Sequence, residues 1–146
     1  DYKSEIWGNL LRNPPSGNIL VADKEIESYD WQRQTLLLTR SASLRFSKEY
    51  IRGLNEKLFM VSLGNEPAFA GSFIELASAR AIRYPVIYIS RKGQQVVFCI
   101  RPEHSLSLSR DNIDQSLMER LAPTKMKEYF RRNGKLRKLT EKTGCR

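Results

Sequence analysis

Ala68-Phe69-Ala70-Gly71-Ser72-Phe73-Ile74-Glu75-Leu76-Ala77-Ser78-Ala79-Arg80-Ala81-Ile82-Arg83 is the stretch on which the fold of this chain turns. Read with a period of two, Phe69, Gly71 and Phe73 share one face of a strand, and Gly71 marks a bulge or a close backbone approach. Read with a period of 3.6, a helix starts from a Ser72 cap and buries Phe73, Leu76, Ala77 and Ala81. Intrinsic propensity does not separate the two. The first reading belongs to an α+β module. The second belongs to a parallel α/β core with Glu75 near a strand end.

Toward the N-terminus, Leu58–Leu63 alternates as a strand with Phe59, Val61 and Leu63 on one side, and Gly64–Pro67 is turn chemistry. Residues 34–39 form another strand, whose Thr39 is placed to cap a helix over residues 40–52 that ends at Gly53. The preceding residues 23–30 are polar and acidic, anchored only by Ile26 and Tyr29. Ile19-Leu20-Val21 reads as a short buried strand, and a helix over residues 4–11 stops before Pro14-Pro15.

Toward the C-terminus, residues 86–89 and 95–100 are β-branched and aromatic runs joined across Gly93, a hairpin whose turn needs positive φ. Asp111 caps a helix with the stripe Ile113, Leu117 and Leu121. Pro123-Thr124 opens a last helix carrying Met126, Tyr129 and Phe130, stopped by Asn133-Gly134. The pattern predicts an α+β fold with a mostly antiparallel central sheet and flanking helices. It forms a single domain over residues 1–139 and a frayed tail over 140–146.

With 146 residues, 40% of them hydrophobic, the chain is long enough to bury a core without metals. No segment approaches the ~20 apolar residues of a membrane-spanning helix. The chain begins at Asp1 rather than Met, as a mature or trimmed chain would. Its net charge of +9 is concentrated: residues 120–146 carry ten Lys or Arg against two acidic residues. Such a cluster favours an acidic protein or an anionic surface, and nucleic acid is a further possible partner through residues 120–146.

The chemistry-bearing residues are sparse. Cys99 lies in an apolar run and reads as a small core residue, while Cys145 is penultimate; one possible pair is no disulfide framework. His104 is the chain's one histidine and reads as a surface residue, with nothing around it in sequence to build a zinc site. No metal site, cofactor or catalytic set is expected.

Two resemblances are present. Ser28-Tyr29-Asp30-Trp31, then Thr35 to Thr39, Phe69-Ala70-Gly71-Ser72-Phe73, Pro85-Val86-Ile87 and Gly134-Lys135-Leu136 follow one another in the order seen in a family of small bacterial exported proteins of unknown function. That resemblance covers Ile26 to Leu136 and implies an extracytoplasmic α+β module without assigned catalytic residues. The chain departs from it in the Ala-rich segment Ala77–Ala81 and in its basic tail. More narrowly, Leu58–Leu63, Gly71-Ser72-Phe73-Ile74-Glu75 and Pro85-Val86-Ile87 resemble nucleoside 2-deoxyribosyltransferases. That likeness implies a cytoplasmic N-glycosidase with Glu75 as carboxylate nucleophile. The glycine- or proline-rich first loop of those enzymes is missing, and Glu56-Lys57 replaces their aspartate.

The favoured expectation is a non-enzymatic interaction or ligand-binding module. Its candidate binding residues are Trp31, the hairpin residues Tyr84, Tyr88 and Arg91, and the basic residues Arg131, Arg132, Lys135, Arg137 and Lys138. An exposed strand edge beside the basic segment would offer β-augmentation as a binding mode.

Overall fold

A computed structural model describes residues 18–106 and 123–137. The deciding stretch is extended as far as Phe73. Strand β4 runs Glu66–Phe73, and residues 74–81 continue as turns and irregular chain, with no helix at Ser72 or Glu75. The cause is local to Gly71. A Cβ at that position would stand 1.9 Å from the Pro85 carbonyl oxygen and 2.9 Å from Cζ of Phe59. Only a residue without a side chain admits the neighbouring backbone so closely, and Ser72 N then donates to Pro85 O at 3.2 Å.

The other strands are β1 (Ile26–Asp30), β2 (Thr35–Leu38), β3 (Leu58–Leu63), β5 (Val86–Lys92) and β6 (Gln95–Arg101). They form one six-stranded sheet in the order β1-β2-β6-β5-β4-β3. The sheet is mixed: β4 and β5 run parallel, pairing Ser72 with Val86 and Phe73 with Ile87. This corrects the expectation of a mostly antiparallel sheet, since a crossover over residues 74–85 replaces a hairpin at that point. The α+β class stands, with few and short helices among the described residues.

The helix expected over residues 40–52 is two pieces, α1 (Arg40–Ser43) and α2 (Lys48–Leu54). Thr39 caps the first as expected, accepting from Ala42 N at 3.1 Å. Ser43 then donates its hydroxyl to Thr39 O and accepts from Val96 N, which ties α1 to β6. Ser47 caps a fresh start at Tyr50 N, and Gly53 lies inside α2 rather than ending it. The chain leaves α2 through a tight turn in which Lys57 N donates to Leu54 O and Glu56 adopts φ +68°.

Alternation along the strands splits the core into two clusters. Leu36, Leu38, Phe98, Ile100, Phe69 and Phe73 lie in one, and Leu37, Val97, Cys99, Val86 and Tyr88 in the other. The first is covered by Phe46 after α1, by Ile51 and Leu54 of α2, and by Met126 and Phe130 of α3 (Pro123–Arg132). The second is packed by Ile74, Ile82 and the crossover residues Leu76 and Tyr84. Aromatic edges organise the first cluster: the Phe46 and Phe73 rings meet Phe98 at 5.6 and 6.0 Å in edge-on geometry.

Gly93 takes φ +59° at the head of the two-residue β5–β6 turn, as its hairpin requires. Residues 19–21 are irregular chain and not a strand, whereas the polar segment before Trp31 is β1. The expected helices over 4–11 and from Asp111, and the tail over 140–146, lie outside the described residues.

Cys99 is fully buried on β6 and is disulfide-bonded, not an isolated core thiol. The chain's other cysteine, Cys145, lies outside the described residues. His104 is likewise not a surface residue: it is 3% exposed and exchanges two backbone hydrogen bonds with Ile82, both 2.8 Å. Its Nε2 stands 2.9 Å from Ser78 O, and a carbonyl only accepts, so Nε2 carries the proton. In the neutral ring Nδ1 then accepts the Tyr88 hydroxyl at 2.5 Å. This pair latches the crossover to β5.

Candidate anion-binding face

The spacing of Met126 and Phe130 decides which side of α3 faces out. Both are buried, one turn apart, in the first cluster. Lys125, Lys127, Arg131 and Arg132 therefore stand on the exposed side. Phe130 rests on Tyr29 of β1, with ring centroids 4.8 Å apart. After α3 the chain turns at Asn133-Gly134, as expected, and runs alongside β1. Tyr29 N donates to Lys135 O at 2.9 Å, Arg137 N donates to Tyr29 O at 3.0 Å, and Leu136 bridges Tyr29 in parallel sense. The edge of the sheet at β1 is thus finished by the chain's own basic segment.

The turn between β1 and β2 holds Trp31 against this segment. Asp30 accepts from the backbone of Gln32 and Arg33, at 2.9 and 3.1 Å. Gln34, fully buried with φ +53°, accepts the Tyr29 hydroxyl at 2.7 Å and donates to Trp31 O at 2.9 Å. Burial pushes the Tyr29 phenol well above its usual range, so it stays a proton donor here. Trp31 packs against the first cluster, and Lys127 Nζ lies 4.1 Å above its ring. Its indole N–H is buried and meets no acceptor among the described residues.

Electrostatics on this face are unbalanced. Residues 123–137 hold six basic side chains against one carboxylate, Glu128. Glu128 accepts from Arg131 at 2.5 Å and from Arg132 at 3.3 Å. The Arg131 guanidinium holds its carboxyl below the usual range, and the Arg131 pKa is raised in turn. Lys135 Nζ reaches Asp23 Oδ2 at 3.5 Å. Lys125 and the exposed Arg137 add to the positive surface, and Lys138 lies outside the described residues.

The sequence candidates therefore divide. Trp31, Arg131, Arg132, Lys135 and Arg137 come together at the β1 edge. The hairpin set does not join them. Tyr88 is 5% exposed and bonded to His104, so it lines no open face. Half-buried Tyr84 has its hydroxyl 3.5 Å from Ser72 Oγ, and Arg91 donates to Phe46 O. Lys127 was missed in the sequence. No sequence signal links it to Trp31, because the contact exists only once α3 docks on β1.

Glu75 is exposed just past the end of β4, its backbone N–H bonded to Asn55 Oδ1 at 3.0 Å. It rims a depression of about 130 Å³ whose other walls include Ile51, Phe73, Leu76 and Ile87. The helix that the deoxyribosyltransferase resemblance needs under Glu75 is absent, because the segment is strand and then turn. Among the described residues no three His, Cys, Asp or Glu side chains are grouped to hold a metal, and no helix is long and apolar enough to cross a membrane. Comparison with protein-family models, with curated proteins and with solved structures gave no match.

Proposed function

We propose that this chain is a non-catalytic extracytoplasmic interaction module that docks acidic partners on the α3 face beside β1. The observation that carries the reading is the fixed placement along β1 of residues 123–137, a segment with six basic side chains to one carboxylate. The sheet rigidifies this surface: the Leu136 bridge and the Phe130–Tyr29 contact hold the cations in place before a partner arrives. The extended Phe69–Phe73 segment agrees with the exported-protein resemblance. The disulfide at Cys99 supports an oxidising compartment, where such bonds persist.

The test is retention on anionic vesicles and on an acidic polypeptide as salt is raised. Binding should weaken steadily with ionic strength as counterions are released. Replacing Lys125, Lys127, Arg131 and Arg132 by Ala should abolish it, while Arg80→Ala, which touches an exposed Glu56 pair elsewhere, should leave it unchanged. Salt-independent binding, or equal loss with Arg80→Ala, overturns the reading. Tighter binding to single-stranded nucleic acid than to either probe would move the assignment to the nucleic-acid alternative. Free thiol in the unreduced, unfolded protein would count against export.

A further inference from the structure

We infer that the opposite edge, β3, pairs with β3 of a second copy of this chain, antiparallel about a two-fold axis. β3 ends the sheet, and among the described residues nothing pairs with its outer side. Its sequence, Leu58-Phe59-Met60-Val61-Ser62-Leu63, contains no charge, proline or glycine. Solitary edges usually carry such residues to repel another strand. The irregularity in the β3–β4 ladder does not protect it either. Val61 pairs with Phe69 and Ser62 with Pro67, so the extra residue is Ala68 of β4, and β3 itself stays regular.

The ladder also says which backbone groups are on offer. Phe73 N donates to Lys57 O at 3.0 Å, so the Lys57 carbonyl points inward to β4. Alternation then turns Phe59 and Val61 inward and Leu58, Met60 and Ser62 outward. Two copies meet with Met60 on the axis, Leu58 opposite Ser62, and Phe59 opposite Val61. Every outward-facing residue then finds an outward-facing partner. Phe59 and Val61 already pack against the first cluster, so that aromatic–β-branched pair would continue the core across the axis.

Charge favours a second copy as the occupant. Residues 47–73, which build α2, β3 and β4, hold three basic and three acidic side chains. Among the described residues, the densest run of positive charge is residues 123–137 beside β1, at the other end of the six-strand order, where screening removes most of its repulsion. A foreign peptide finds no charge on β3 to select it, whereas the self-pairing register selects itself. The paired molecule presents two basic faces at the far ends of one continuous sheet, a bivalent arrangement for an extended polyanion.

Sedimentation velocity of the full chain at rising concentration tests this. Leu58→Lys with Ser62→Lys changes two exposed positions that face each other across the axis, placing like charges together. Dimerisation should weaken at least about tenfold. Leu58→Lys with Ser62→Glu places opposite charges together and should restore it. In the unmutated protein, the Leu58, Met60 and Ser62 amides should exchange more slowly as concentration rises. A monomer at about 1 mM overturns the inference and leaves β3 bare or covered by residues 1–17. An unweakened Lys/Lys variant, or a Lys/Glu variant as weak as Lys/Lys, overturns it equally.

Discussion

The two edges of the sheet are finished in opposite ways. At β1, the chain's own residues 135–137 supply a partner segment, and that covering segment, with α3, is strongly positive. At β3 the strand is apolar, its surroundings are neutral, and no described segment pairs with it. The β1 edge is also joined inward through antiparallel pairs along β2 and β6, whereas β3 and β4 reach the rest of the sheet through two parallel pairs beside Gly71. The lesson is that one edge is built to be permanent and charged, and the other to be plain and weakly attached.

The harshest way to break the comparison is Gly71→Ala. The new Cβ collides with the Pro85 backbone, which cannot swing aside as a side-chain tip would. We expect a loss of about 4 kcal/mol or more in chemical denaturation, enough to detach β3–β4 or unfold the chain. A loss under about 1 kcal/mol would show that the β4–β5 join is not as close as described. Next in size, Tyr29→Phe removes the hydroxyl that satisfies buried Gln34 at the β1 edge. Its cost should be about 1–3 kcal/mol, because the Gln34 oxygen is left without its donor.

Glu56→Gly sharpens the comparison in the other direction. Glu56 holds φ +68°, a conformation that glycine adopts without strain, and its carboxylate pairs with exposed Arg80 at 2.6 Å. Relief of strain should outweigh loss of that exposed pair, giving a gain of about 0.5 kcal/mol in thermal or chemical unfolding. A measurable loss would mean that the Arg80 pair matters more to the crossover than its exposure suggests.

The smallest stability effect is expected at Glu128, and the readout there is binding. Glu128→Gln frees Arg131 and Arg132, so retention on a sulfated polymer at neutral pH should rise while the unfolding midpoint barely moves. Acid should mimic it. The folded-state pKa of Glu128 is depressed, so its contribution to stability is present above its unfolded pKa and is lost as pH falls through the folded one. Retention on a polymer that stays charged should therefore climb more steeply over that acidic window in the native chain than in the variant.

Much of the sheet is legible in the sequence. β3, β5 and β6 carry their own alternation, Thr39 announces the start of α1, and Gly93 announces its turn, because each rests on neighbours a few residues away. β1 is not legible: Ile26-Glu27-Ser28-Tyr29-Asp30 is polar, and its burial comes from Phe130 and Leu136. The break after Ser43 depends on a hydrogen bond to Val96, and the burial of His104 depends on Tyr88 and Ser78. The sequence around Gly71 marks a bulge or close approach, but only the fold shows that Pro85 is the approaching backbone. Of the candidate face, the charge was readable in full, but the partnership of Trp31 with Lys127 exists only once α3 lies on β1.

The bridge between Tyr29 and Leu136 joins residues 107 positions apart. During synthesis, at about 5–20 residues per second, on the order of 10 s separates the two. During that interval the five other described strands are made while β1 still waits for its cover. The nascent chain thus passes through a stage with both flanks of the sheet open, and one of them closes only once residues 135–137 have been made.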